Sequence, residues 1–418
     1  IYAARGVATG VVRGIVFDGV LGRAEPGADV YAVRDPDPKK TFATYDEIIR
    51  ANVDSIGALG VENEALADVG TDPKKTGHYR IELPVGSYFL VTRSRDKVVS
   101  KPQRVAVSAG SEDVLHLTTE TPATITYRIT DSSGQRIPAK ITLQALGADG
   151  KPLYSDGKRR VEMGDGRFDD GVFSIEYSAN GEGTIRVQPG DYLATVSRGV
   201  EFSIVQKRLS LRSGGSATLD AALVREVDTS GYIGADFHLH AEPSMDSGID
   251  LGLRILTNVV EGVELISSSD HDVITDYRPK LLELGLDRFA TTQVGLEVST
   301  LELGHTLAFP LKFDQTTIPT HGAVDWVCQG YDPIFRTARA LGEFGTDSTV
   351  LTLAHPRDGF LGYFDQFKLD PWTLKRTTNA AGKTTGLEKD NPLFKTLSCD
   401  YDSMELFNGK RWELIHTP

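Results

Sequence analysis

The chain has 418 residues, of which 40% are apolar and 25% charged, and its net charge is −13. That length exceeds one ordinary domain and predicts about two to four. An acidic chain without a basic stripe is not built to bind nucleic acid, and no run of about eighteen apolar residues is present to form a transmembrane helix. Cys328 and Cys399 are too few for a disulfide framework and lack CxxC spacing, so two buried free thiols are expected. The opening Ile-Tyr-Ala-Ala-Arg-Gly has neither the basic nor the apolar region of a signal peptide. Because the chain also begins without Met, it reads as a processed or truncated piece.

The first 225 or so residues alternate with period two between Gly and Pro punctuation, the signature of half-buried antiparallel strands. Strands are predicted at Gly10–Phe17, Asp29–Val33, Tyr79–Leu83 and Tyr88–Thr92. An interruption near 36–76 contains a helical spacing over Tyr45–Ala67 (Ile48, Ile49, Val53, Ile56, Leu59) and is predicted to be a helical insertion. The segment then repeats. YRIELPVGSYFLVT at 79–92 is echoed by TIRVQPGDYLATV at 184–196, with the Gly86/Tyr88 and Gly190/Tyr192 pairs in matching places. Two tandem antiparallel β-sandwiches, 1–120 and 121–228, follow from this repeat. The Gly/Pro/Tyr edge resembles the carboxypeptidase-regulatory-like, prealbumin-like sandwich, which implies a periplasmic or extracellular address.

Within this half, Thr130–Gly134 is read as a hairpin turn and Asp165–Gly171 as a turn rather than a calcium loop. Lys158, Arg159, Arg160, Lys207, Arg208 and Arg212 read as solvated charge. His78 and His116 read as structural.

After Val224 short apolar strands alternate with helices. Strands are predicted near Tyr232–His240, Val263–Ser268, Thr291–Val298, His305–Pro310, Val350–Ala354 and Ser403–Phe407, and helices near Leu251–Val260, Asp276–Leu284 and Pro333–Phe344. This alternation predicts a parallel β/α architecture over 229–418, in which active residues gather at the carboxyl ends of strands.

Five of the nine histidines fall at such strand ends. His238 and His240 are two apart, so on a strand both imidazoles face one way. Asp270-His271 ends a second strand, Gly295-Leu-Glu297 a third, Gly304-His305 opens a fourth, and His355-Pro356 ends a fifth. Imidazole and carboxylate suit zinc, manganese and iron(II) without any thiol. Glu297 is of the type that bridges two ions, which together polarise a bond and generate hydroxide. Asp246 is either a further ligand or the cap of the following helix. Asp236 and Asp270, each beside a histidine, are candidates to orient a ligating ring. Arg357, just past His355, is either a contact for an anionic substrate or a surface arginine. Asp270 and Arg357 are thus the candidate catalytic groups. His321 reads as a cap or surface residue and His416 as isolated.

Asp236-Phe-His-Leu-His240, Ser269-Asp-His271, Gly295-Leu-Glu297, His305 and Ala354-His-Pro356 resemble the successive motifs of the polymerase and histidinol phosphatase (PHP) superfamily. The stretches AHPRDGFLGYFDQF and DSMELFNGKR are similar to its carbaryl-hydrolase-like bacterial branch. The resemblance implies a distorted (β/α)7 barrel holding two to three Mn, Zn or Fe ions. Its ligands would be His238, His240, His271, Glu297, His305 and His355, with Asp246 as a further one. It also implies a metal-dependent hydrolase acting on a small phosphoester or a carboxylic or carbamic ester. The family's late Asp-x-His element does not follow His355, so the barrel is expected to be completed by a continuation beyond Pro418 or by a second chain. That gap sustains two alternatives. One is a non-catalytic cell-surface or assembly protein with sandwich modules and a relic metal-binding barrel. The other is a carbohydrate-binding module, with only Trp326, Trp372 and Trp412 dispersed along the chain.

Overall fold

The computed structural model describes residues 2–70, 72, 74–93, 98–147, 149–153, 172–301, 303–370, 373 and 398–406. Lys158–Arg160, Asp165–Gly171, Trp372, Phe407, Trp412 and His416 lie outside them. The chain divides into two compact units: residues 1–197 with 203–225, and residues 198–202 with 226–418.

The first unit is built almost wholly of strands. β1 (Thr9–Phe17), β2 (Asp29–Arg34), β3 (Val61–Leu66), β4 (His78–Pro84), β5 (Gly86–Arg93), β6 (Gln103–Val107), β7 (Glu112–Val114) and β8 (Leu117–Thr118) form two sheets. One sheet runs β4-β1-β7, with β8 also on β1; the other runs β3-β2-β5-β6. Their inward residues share one core: Val12 and Val16 from β1, Val30 and Ala32 from β2, Ile81 and Leu83 from β4, Leu90 from β5. This is the physical content of the period-two pattern, since alternate side chains on each strand meet between the sheets.

The helical insertion is half of what its spacing predicts. α1 (Tyr45–Ile56) is capped by the Thr44 hydroxyl, which accepts from the Glu47 N–H at 3.2 Å, and it ends at Gly57 with φ 69°. Ile48 and Ile49 pack against Val33, Phe42 and Phe89. Beyond the glycine the chain becomes β3, paired antiparallel with β2, so the pairing partner overrides any helical tendency of 61–66.

The second set of strands repeats the first. β9 (Ala123–Asp131), β10 (Ala139–Ala145), β11 (Val172–Ser178), β12 (Glu182–Val187), β13 (Gly190–Ser197), β14 (Val205–Leu211) and β15 (Ser216–Leu223) form sheets β12-β9-β15 and β11-β10-β13-β14. Position for position these match β4-β1-β7 and β3-β2-β5-β6. The expected antiparallel rule fails at one place in each copy. β7 and β8 run parallel to β1, and β15 runs parallel to β9. β7 and β15 arrive from the facing sheet, and β8 continues along β1 after β7, so no tight hairpin fixes their direction. Thr130–Gly134 does not join two neighbours of one sheet. It is a tight hairpin turn, with an antiparallel Thr130–Arg136 bridge and the Asp131 N–H donating to the Gln135 carbonyl at 2.8 Å, and it carries the chain from β9 to β10 in the other sheet.

In the second unit, β16 (Ala235–Asp236), α2 (Leu251–Val260), β17 (Leu265–Ser267), α3 (Arg278–Glu283) and β18 (Thr291–Gln293) alternate as expected. They give a parallel three-stranded sheet, β16-β17-β18. Thereafter β19 (Leu296–Thr300), β20 (Gly304–Phe309), α4 (Tyr331–Ala340), β21 (Val350–Leu353), α5 (Tyr363–Gln366) and β22 (Ser403–Met404) build a separate sheet, β19-β20-β21-β22. Its first three strands are antiparallel and only the β21–β22 pair is parallel. The described residues therefore form two sheets and not the expected (β/α)7 barrel. The three residues between β19 and β20 allow a hairpin but not the crossover that parallel strands require. The largest core here joins Leu296, Val298, Ile334, Phe335, Leu351, Leu353 and Tyr363, packing α4 and α5 against this sheet.

Arg198 belongs to this unit. It is buried, its guanidinium lies over the Phe202 and Phe289 rings, and it donates to the Val259 carbonyl at 3.5 Å. Both cysteines are free and exposed, against the expectation of buried thiols. Each lies in a loop, with Cys328 held at φ 58°.

Candidate metal centre

Glu297 sits in β19 with no exposed surface. A lone buried carboxylate is costly, so it needs partners. Its Oε2 lies 3.2 Å from His238 Nε2, 3.0 Å from His240 Nε2 and 3.3 Å from His271 Nδ1. Its Oε1 lies 3.0 Å from His305 Nδ1 and 3.3 Å from His355 Nε2. All five strand-end histidines thus converge on one carboxylate. His238 and His240 follow β16, His271 follows β17, His305 lies in β20 and His355 follows β21. Only short strands bring them together. A parallel bridge between His271 and Glu297 joins the edges of the two sheets at this point.

Asp246 joins the cluster as well. Its Oδ1 is 3.1 Å from His240 Nδ1 and its Oδ2 is 3.4 Å from His271 Nε2. The capping alternative fails, because α2 is capped by Asp250, whose Oδ1 accepts the Leu253 N–H at 2.9 Å. The Ser244 hydroxyl donates to Asp246 at 2.7 Å and accepts the His271 N–H at 3.1 Å, tying the two loops together. Three overlapping sets of ligand atoms result: His238/His240/Glu297, His240/Asp246/His271 and His271/Glu297/His305, each with atoms within 4.8 Å of one another.

The electrostatics follow the geometry. Burial pushes the Glu297 carboxyl up, but the surrounding imidazoles outweigh it and hold the group well below the usual carboxylate range. Burial lowers His238, yet its contacts with Glu297 and Glu405 dominate and raise it to about 10. His271 is lowered, chiefly by burial. Burial also raises Asp246, and the Ser244 hydroxyl with His240 and His271 brings it down overall.

The residues suit divalent ions on two observations. Without metal, five imidazoles crowd one carboxylate, with neighbouring ring centroids 4.5–5.6 Å apart. The buried His355 Nδ1 has no hydrogen-bond partner among the described residues, the kind of orphan that calls for an ion or water nearby. The donors are imidazole nitrogens and carboxylate oxygens only, a set suited to Zn, Mn or Fe(II). The cluster lines a cleft of 550 Å³ that also exposes Asp236, Arg254, Asp358 and Glu405.

Other predicted residues fall elsewhere. Asp236 does not orient an imidazole; its Oδ1 accepts the His238 backbone N–H at 3.0 Å. Asp270 is fully buried and accepts the Ala241 N–H at 2.9 Å and the Tyr277 hydroxyl at 3.1 Å, which ties the β16 and β17 loops together. Burial raises its carboxyl above the usual range. Arg357 bonds Asp365 at 3.3 Å and the Leu369 carbonyl at 2.5 Å, and it lies over Phe364. These contacts hold it against its own loop, as the structural alternative expects. His321 is a loop residue whose ring packs on Phe313, and the His116 Nδ1 accepts the Ile15 N–H at 3.1 Å.

Two residues at the centre escape the sequence reading. Glu405 meets His238 Nδ1 at 2.5 Å, and the Ser299 hydroxyl meets His271 Nδ1. Neither stands beside a histidine in sequence, and a lone Glu or Ser carries no spacing signal.

No protein-family model matches the chain, and no curated protein matches it. Solved structures do match over about half of it. The minor pilin of Streptococcus agalactiae is 13% identical over 53% of this chain and 98% of its own, with a TM-score of 0.28. A shaft pilin from Lactobacillus rhamnosus GG is 13% identical over 53% and 99%, with a TM-score of 0.25. The Bacillus anthracis TIE protein is 10% identical over 53% of this chain, with a TM-score of 0.19, and this chain spans only 35% of its length. These findings correct the expected membership of the PHP superfamily: no family model and no curated protein supports it, and the similar structures named above are pilins and the TIE protein. The hydrolase assignment, the carbaryl-hydrolase-like branch and the small ester or phosphoester substrate rested on that resemblance and fall with it. No helix among the described residues is long and apolar enough to cross a membrane.

Proposed function

We propose that the chain is a divalent-metal-binding surface or assembly protein, in which a multi-ligand metal centre consolidates the second unit and duplicated β-sandwich modules make contacts with other proteins. The convergence of five imidazoles on the buried Glu297 carries this reading. The ligands are His238, His240, His271, Glu297, His305 and His355, with Asp246 as a further one, and they hold two to three Mn, Zn or Fe ions. Bound ions supply the positive charge that lets so many buried donors share one small volume, and binding free energy then adds to folding. The modules are taken as 1–120 and 121–228, with the metal-binding domain over 229–418, which also takes in the strap 198–202 and residues 226–228. The sheets end in edge strands, β3 and β6 in the first module and β11 and β14 in the second, and an edge strand is where a partner strand can add. An extracellular or periplasmic address accords with this role.

The test is metal analysis of the purified full chain together with its assembly state by light scattering, with and without chelation. The expected result is about two to three ions per chain and a size or stability that changes when they are removed. A native protein without bound metal overturns the reading.

A further inference from the structure

The geometry points to Glu405 as the residue that positions two of the metal ligands at once, fixing the tautomer of His238 through its side chain and the placement of His355 through its backbone. This rests on the metal-binding reading.

Glu405 Oε1 lies 2.5 Å from His238 Nδ1, and Oε2 accepts the His355 backbone N–H at 2.7 Å. An ionised carboxylate only accepts, so the imidazole donates from Nδ1. The ring's other nitrogen, Nε2, faces the Glu297 side, 3.2 Å from Oε2, where it can give up its proton and present a lone pair to an incoming ion. Because the two nitrogens face opposite ways, Glu405 stands behind His238 and outside the three sets of ligand atoms. A carboxylate behind a ligating imidazole orients the ring and strengthens it as a donor.

The second contact matters because His355 has φ 28°, a conformation L-residues rarely adopt. Its N–H is anchored only where the acceptor is held in register, and the fold supplies that register. β22 pairs parallel with β21, setting Met404 beside Leu353, and the Glu405 N–H donates to the Leu353 carbonyl at 3.0 Å. Asp402 Oδ2 accepts the Leu351 N–H at 2.7 Å and meets Arg339 of α4 at 3.1 Å. A strand of two residues is thereby locked against β21, which delivers the carboxylate to both ligands.

Cobalt(II) affinity of the full chain, measured by competition with a chromophoric chelator, tests this alongside the cobalt visible spectrum. Glu405→Ala is expected to weaken cobalt binding about 10–100-fold and to alter the spectrum, with part of the loss restored by added formate. Glu405→Gln, whose amide oxygen can accept from only one of the two N–H groups, is expected to fall between Glu405→Ala and the parent. Formate rescue separates positioning from general loss of folding. If the parent binds cobalt and Glu405→Ala matches it in affinity and spectrum, the positioning role is overturned while the metal centre stands. A loss that neither formate nor Gln relieves likewise overturns it. If the parent itself binds no cobalt, the metal reading fails and the positioning role fails with it.

Discussion

Tyr88 and Tyr192 make the same bond in the two sandwiches. Each hydroxyl donates to the carbonyl four residues earlier, Tyr88 to Pro84 at 3.0 Å and Tyr192 to Gln188 at 2.7 Å. Both rings are buried, one strand before the carbonyl and one after it pairing into opposite sheets. The tyrosine therefore clamps the corner where the chain passes from one sheet to the other. The repeated Gly-x-Tyr in the sequence is the trace of that clamp.

Removing either hydroxyl leaves a carbonyl unpaired without disturbing the packing of the ring. Tyr88→Phe and Tyr192→Phe are each expected to cost about 1 kcal/mol, seen as a lower midpoint in urea denaturation. Sharply unequal costs would show that the two corners are not equivalent.

Glu297 is the one carboxylate among the described residues that meets all five imidazoles. Glu297→Gln keeps the shape but removes the charge shared by five imidazoles, and Glu297→Ala removes both. Each is expected to reduce bound metal to below about one ion per chain, measured by elemental analysis after dialysis. Glu297→Ala holding the parent's full metal content would contradict the convergent geometry.

Metal binding should release protons. In the metal-free protein His238 is raised to about 10, despite burial, by Glu297 and Glu405, so it is charged at neutral pH. A ligating imidazole must be neutral. Zinc binding near pH 8 is expected to release about one proton from this residue, read by calorimetry in buffers of different ionisation enthalpy. The metal-free stability has a matching shape. The His238 contribution is full below its unfolded value of about 6.5 and fades as pH rises through about 10. The Glu297 contribution is present above about pH 4.5 and is lost as acid protonates the group, well below that value.

Gly304 precedes His305 with φ 92°, and a Cβ there would stand 2.5 Å from the Tyr363 backbone nitrogen. Gly304→Ala is expected to destabilise the chain by about 2–4 kcal/mol through backbone strain and overpacking. Its metal affinity should fall too, because His305 moves with the turn. Thermal unfolding with and without zinc checks both effects.

The sequence makes the histidine cluster legible because histidine is rare and its placement at strand ends is conspicuous. His238, His240, His271, His305 and His355 are found from that placement alone, and Glu297 from its place after Gly295. Gly295 is itself required, since a Cβ there would meet the Ser268 carbonyl at 2.4 Å. Glu405 is not legible, because its role depends on pairing between strands 50 residues apart. The tandem sandwiches are legible through alternation and the repeated corner. The barrel is misread because strand–helix alternation in β16 to β18 does not continue into β19 and β20, where a three-residue link forces an antiparallel pair. Residues 61–66 are misread because sheet pairing decides their conformation after Gly57 ends the helix.

Arg198 and its neighbours carry a consequence for how the protein is made. Residues 198–202 leave between β13 and β14 yet belong to the second unit, with Arg198 wedged on Phe289. During synthesis this strap emerges before β14 and β15 and must wait for Phe289 before its contacts exist. An expressed fragment starting at residue 226 loses the Arg198 contacts with the Phe289 ring and the Val259 carbonyl, leaving Arg288 as the cation over that ring. The second unit is encoded in two separated stretches, so no single cleavage releases it whole, and a gene fusion that breaks the chain between β13 and β14 would injure it.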